Sequence, residues 1–154
     1  MTPFVFRAQA ALDLRRRQDD EARRTLAQAE SLLRQARQAL DEAQAMLEDA
    51  CSRARDVDAS DADMTARIWY RNWIVLHKQR IARCRDEHEA RRRAAEDAKA
   101  RARVARRQRQ SLERFRERAW QDYVQAERRA EQKALDELGT VRFTVARTHA
   151  GGHS

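Results

Sequence analysis

Between Ala22 and Val57, apolar residues fall at Ala22, Leu26, Ala29, Leu33, Ala36, Leu40, Ala43, Leu47, Ala50, Ala54 and Val57. The gaps alternate four and three without a miss, which is the spacing of a coiled-coil seam. Leucine holds mostly one core position and alanine the other, so two helix axes can approach closely. Leu32, Ala39 and Met46 widen the stripe on one flank. Backward, Val5, Ala8 and Leu12 keep the frame, whereas Arg15 and Asp19 interrupt it. A second, more ragged seam runs through Trp73, Ile74, Ile81 and Cys84, then Ala95, Ala98, Ala102 and Ala105. It resumes at Leu112, Phe115, Ala119, Tyr123, Ala126 and Ala130, with a drift of phase near Gln108 that suggests a stutter.

These patterns predict two helices and a bend. Thr2-Pro3 has the form of a helix start, with Thr as N-cap and Pro at the first helical position. The only dense cluster of turn-favouring residues before the C-terminal region is Asp58-Ala59-Ser60-Asp61-Ala62-Asp63. Ser60 with Asp63 three residues on resembles a capping box. The expected boundaries are helix 1 over about 3–57, a turn at 58–60 and helix 2 over about 61–138, together forming a hairpin over 1–138. Gly139 would close helix 2 as a C-cap, leaving a disordered tail over 139–154. The fold class expected is all-α, a long antiparallel two-helix coiled-coil hairpin. At 1.5 Å per residue the helices would span about 80 and about 115 Å. The alternative is one unbroken helix that dimerises with a second copy; the short connection and its capping signal favour the hairpin.

Composition supports helix against globule and against disorder. Between Pro3 and Gly139 there is neither proline nor glycine, so sheet corners, phosphate-cradling loops and walled pockets are hard to build. Charged residues make up 38% of the chain, a level also found in unfolded chains, but the unbroken four-three spacing selects helix. No stretch approaches the length of a membrane span, and none near Met1 resembles a secretory signal. With Cys51 and Cys84 as the two cysteines, the expectation is a cytosolic protein with free thiols. Doubling back at Ser60 would set Cys51 opposite Trp69 and Cys84 opposite Ala36, too far apart to bridge. The same register leaves helix 2 beyond about residue 117 without a partner, an overhang of about six turns at the tip that holds both chain ends.

The net charge of +8 is concentrated: Arg91–Arg118 carries twelve basic and four acidic residues, enough to account for all of it. Nucleic-acid binding is the obvious functional reading. Against it, only Phe115 interrupts the run and no groove-reading motif accompanies it, so an acidic protein or anionic surface is preferred and nucleic acid is not expected. Cys84 and His88 share a helical face at metal-ligand spacing, but His77 lies two turns away and helix 1 offers no His or Cys opposite; no metal is expected. Two helices supply no pocket for a nucleophile and its base, so neither catalytic residues nor a cofactor are expected. The patch Ile68-Trp69-Tyr70-Arg71-Asn72-Trp73-Ile74 differs from the rest. A two-helix seam hides one face of a helix, so some of these rings must be exposed, and exposed Trp and Tyr clusters anchor interfaces.

Two further stretches carry a resemblance. Phe6-Arg7-Ala8-Gln9-Ala10-Ala11-Leu12-Asp13-Leu14-Arg15 resembles the opening of the FliJ family, an aromatic leading into an L-D-L-R-like turn. Glu127-Arg128-Arg129-Ala130-Glu131-Gln132-Lys133-Ala134-Leu135-Asp136-Glu137 resembles its E-Q-K-x-x-D-E signature, the more specific of the two. The resemblance covers nearly the whole chain. It implies a soluble component of the flagellar type III export apparatus, similar in architecture to the central stalk of rotary ATPases, at the cytoplasmic side of the inner membrane. It implies two partners: the hexameric export ATPase FliI, entered by the tip with both chain ends, and the linker of the export gate protein FlhA. Carried onto this sequence, the ring contact falls on Glu127, Arg128, Gln132, Lys133, Asp136 and Glu137. The gate-binding row falls on Trp73, His77, Arg80 and Cys84, with Trp69 and Tyr70 beside it. Only Trp73 keeps the row's aromatic character; Arg80 stands for a small residue and Cys84 for a polar one. Export chaperones are further candidate partners. The equivalent stalk of a virulence injectisome and a generic coiled-coil scaffold remain as alternatives.

Overall fold

The computed structural model describes residues 3–150, and it is an all-α helical hairpin of two helices packed on each other. The helices are α1, Gln9–Ala59, and α2, Met64–Ala150. Both contribute to two compact units, one built from residues 17–106 and the other from residues up to 16 together with those from 107 onward.

In the 17–106 unit the four-three spacing of α1 is realised in full. Every position of the frame from Ala22 to Val57 is buried or half-buried. Its core is the cluster of Leu40, Ala43 and Ile81, against which Leu47 and Cys84 pack. Ala36 and Ala50 on α1, and Ala95, Ala98 and Ala102 on α2, are buried as well. Small side chains at these seam positions leave little bulk between the helices, which lets the backbones pack closely.

The α2 side of the seam differs from the expected one. The covered positions are Tyr70, Ile74, His77, Ile81, Cys84, His88, Arg91, Ala95, Ala98, Ala102 and Ala105. That series keeps the four-three alternation intact, with Arg109 and Leu112 continuing it, so no stutter is needed near Gln108. Three polar seam residues, His77, His88 and Arg91, masked the frame, and Trp73, expected inside, stands at its exposed edge.

The bend sits a few residues later than expected. Ser60 closes α1: its N–H and its hydroxyl both donate to the Val57 carbonyl, at 3.3 and 2.9 Å. Asp63 is the N-cap of α2, its carbonyl accepting from Ala66 and Arg67. The capping pair therefore divides its labour between two helix ends. Arg67 ties the link together, donating to the Ser60 carbonyl at 3.3 Å and standing 3.9 Å from Asp58. The later bend shifts the pairing register, and Cys84 packs by Leu40 and Ala43, further along α1 than the expected Ala36. Both cysteines are free.

The other unit departs from expectation at both ends. Helix 1 starts at Gln9 instead of Pro3, and the proposed cap Thr2 lies outside the described residues. Phe4 and Phe6 face α2 while Val5 and Arg7 face solvent. This period of two requires extended backbone; a helix would turn the two phenyl rings nearly opposite ways. Gly139 does not cap α2. It has no positive φ, and the helix continues past it to Ala150. A lone glycine costs a helix only about 1 kcal/mol, and no proline follows to enforce a stop. Thr140 and Thr144 direct their hydroxyls back to the carbonyls of Asp136 and Thr140 along the same helix. Helix thus replaces the expected disordered tail through Ala150; residues 151–154 lie outside the described residues.

Candidate functional site: two interaction surfaces

Near the start of α2, i,i+4 spacing stacks three rings in a ladder. Trp69 and Trp73 are stacked with centroids 5.3 Å apart, and Trp73 meets His77 edge-on at 4.8 Å. Tyr70 adds an edge contact on Trp69 at 4.9 Å. The ladder climbs from solvent into the seam: Trp69 and Trp73 are exposed, Tyr70 is half-buried and His77 is buried. Helix 2 fixes the rings by packing Ile74, His77 and Ile81 against α1. Arg80 is half-buried, its guanidinium 3.1 Å from the Met46 sulfur, and Cys84 packs on the core. The expected row Trp73, His77, Arg80 and Cys84 therefore does not form one open face. Its first residue is accessible and its last is largely enclosed. Sequence reasoning passed over Val75 and Leu76, both well exposed beside the two tryptophans.

The second surface belongs to the unit containing the chain ends. Phe4 contacts Trp120 edge-on at 5.1 Å and Tyr123 at 5.5 Å, and Phe6 contacts Phe115 at 5.4 Å. Phe6 and Leu12 are buried there. Arg15 donates to Gln108 at 2.7 Å, and Glu113 accepts from Arg109 at 2.8 Å and from Arg16 at 3.4 Å. The aromatic clasp covers α2 as far as Tyr123, so the unpartnered part begins later than the expected residue 117. An open apolar groove of about 650 Å³ remains beside the clasp, lined by Phe4, Val5, Ala8, Phe115, Ala119 and Tyr123. The clasp was readable in principle from the Phe4/Phe6 alternation, which the helix assignment of residues 3–8 obscured.

Beyond the clasp α2 is bare. Glu127 is half-buried, and every residue over 128–147 is exposed. Of the expected ring-contact residues, Gln132 donates to Asp136 at 2.9 Å and Lys133 lies 3.9 Å from Glu137, both i,i+4 pairs. Arg128 is exposed on the same stretch. Leu135, Leu138, Val141, Phe143 and Val145 are uncovered among these charges.

Elsewhere the charge is partly self-neutralised. Arg92 binds Glu89 through two contacts of 2.8 and 2.9 Å, and Arg93 adds a third at 3.1 Å. These bonds, Arg92's first, hold the Glu89 carboxyl down at about 2 and raise the Arg92 guanidinium above its ordinary value. Arg91 pairs with Glu87 at 2.7 Å. The start of the Arg91–Arg118 stretch is thereby engaged on its own helix.

Among the described residues no group of three or more His, Cys, Asp or Glu could hold a metal ion, and no helix is long and apolar enough to cross a membrane. Comparison with curated proteins and with solved structures gave no match. The model of the flagellar FliJ protein matches residues 7–148, so the chain belongs to the FliJ family, whose members are non-enzymatic components of the flagellar export apparatus.

Proposed function

We propose that the chain acts within the flagellar export apparatus as a stalk that binds the export ATPase hexamer, a FliI-like ring, stimulates its turnover, and links it to the FlhA-like gate. The observation that carries this reading is the bare helix over 128–147. An isolated helix in water gains nothing from packing and owes its order to propensity and i,i+4 pairs. Leaving Leu135, Leu138, Val141, Phe143 and Val145 uncovered is a standing cost unless another protein covers them. A single helix is slender enough to enter the axial opening of a ring, and its mixed charges at Glu127, Arg128, Gln132, Lys133, Asp136 and Glu137 can meet successive subunits. With no phosphate-binding loop of its own, the chain would act on ATP hydrolysis through ring assembly. The exposed pair Trp69 and Trp73, with Tyr70 beside them, is the proposed docking point for the gate linker, while His77 supports the ladder from inside. The site of action is the cytoplasmic side of the inner membrane, and export chaperones are additional candidate partners.

The test is an ATPase assay of the cognate hexamer with the full chain and with a truncation ending at Ala126. The full chain should raise turnover and the truncation should not, while still binding the gate linker. Undiminished stimulation by the truncation would refute the ring assignment. Trp73→Ala should weaken linker binding with helix content unchanged; equal affinity would remove Trp73 from the gate surface.

A further inference from the structure

We infer that the outward face of α2 between Met64 and Arg85 docks on an anionic phospholipid bilayer. The segment contains no aspartate or glutamate, while Arg67, Arg71, Lys78, Arg80, Arg83 and Arg85 all carry positive charge. On the face turned from the seam, Ile68, Trp69, Val75 and Leu76 are each more than half exposed, and Trp73 lies at its edge. Helical spacing sets Ile68 and Val75 in one row with Arg71 and Lys78 beside it, and Leu76, Trp69 and Trp73 in a second row with Arg80 among them, while Asn72, Gln79 and Arg83 lie between the rows. On α1, Asp41 and Asp49 pair with arginines of their own helix, Arg37 and Arg53, whereas Asp58 pairs with Arg67 and offsets that one charge of the α2 segment. The other five basic residues, Arg71, Lys78, Arg80, Arg83 and Arg85, leave the α2 segment strongly positive.

Exposed aliphatic residues and tryptophans interleaved with basic residues, whose long stems can bury while their charges reach the headgroups, suit a helix lying in a membrane interface. A bilayer supplies complementary charge and a fluid surface that moulds itself to a convex helix face. The paired tryptophans suit the boundary, with apolar rings and a polar N–H. Direct lipid contact would lay the start of α2 along the membrane. The inference does not rest on the proposed gate docking, because its test contains lipid and no gate protein.

The full chain is mixed with vesicles of phosphatidylcholine alone or of equal parts phosphatidylcholine and phosphatidylglycerol, and binding is read by sedimentation and tryptophan emission. Binding with a blue shift is expected for the anionic vesicles. Ile68→Glu and Leu76→Glu, both at exposed positions, should each reduce it about tenfold or more. Arg71→Gln and Lys78→Gln should each reduce it about fivefold, whereas Arg103→Gln, on another part of α2, should leave it nearly unchanged. Helix content by circular dichroism is compared for every variant. No sedimentation with anionic vesicles overturns the inference. So does binding indifferent to Ile68→Glu and Leu76→Glu, or equal losses from Arg103→Gln and Arg71→Gln, since either marks diffuse attraction. A blue shift with polyglutamate but none with vesicles also overturns it, in favour of an acidic protein.

Discussion

The two compact units solve the same problem with different side chains. In the unit of residues 17–106, leucine, isoleucine and many alanines interlock at heptad spacing, and stability is spread over repeated small layers. In the unit holding the chain ends, a few large rings do the work, Phe4 and Phe6 against Phe115, Trp120 and Tyr123. Small repeated layers demand helix on both sides and tolerate polar residues at their edges. A ring clasp needs only a short extended segment. The first arrangement gives uniform stiffness; the second ends abruptly, and past it α2 stands uncovered. The surface proposed for a partner begins where the rings stop.

Substitutions can break this contrast. The largest effect is expected in the seam: Leu40→Ala empties a layer shared with Ala43 and Ile81 and should lower unfolding free energy by about 2–4 kcal/mol in denaturant melts. Phe6→Ala removes a bulkier side chain, yet residues 3–8 can open without unfolding the rest. Its global cost should be nearer about 1 kcal/mol, with amide exchange accelerated at Gln9 and Leu12. A global loss as large as that of Leu40→Ala would show that the clasp and the seam unfold as one.

Gly139→Ala tests the bare helix. A Cβ at Gly139 meets nothing within 4 Å, and φ there is not positive, so alanine should raise local helix stability by about 0.5–1 kcal/mol. Slower amide exchange over 135–147 is the readout; faster exchange would restore Gly139 as a helix end. The smallest effect concerns Glu89. Because its folded carboxyl titrates at about 2, below its ordinary 4.5, the contribution of its pairs with Arg92 and Arg93 is complete above pH 4.5. It is lost as pH falls through 2. NMR titration should place the Glu89 midpoint near 2, and Arg92→Gln should move it upward. A midpoint near the ordinary value in the unaltered chain would show that water, and not arginine, solvates the carboxylate.

Residue by residue, the sequence was most legible where chemistry and geometry coincide. Leu26, Leu33, Leu40 and Leu47 announce the α1 seam because an apolar side chain at every expected layer has one simple explanation. Tyr70, His77 and Arg91 hold equivalent layers on α2 and were missed because their types suit solvent equally well, whereas His88 was legible beside Cys84 as a partly exposed seam residue. Arginine can lie in a seam by burying its stem and extending its charge to the edge, as Arg91 does toward Glu87. The residues proposed for the ring contact were visible as a motif, but Leu135, Leu138 and Val141 beside them acquire meaning only from their exposure in the fold.

The chain by itself determined its secondary structure class, the α1 stripe and the doubling back near Ser60. Those depend on local preference and on spacing within one helix, both written along a single strand of text. Tertiary structure decided which side of α2 meets α1, that Phe4 and Phe6 stretch out to clasp α2, and where coverage of that helix ends. Each of these is a choice among faces or backbone forms that the local sequence leaves nearly equal in energy, and contact with residues distant in the chain breaks the tie.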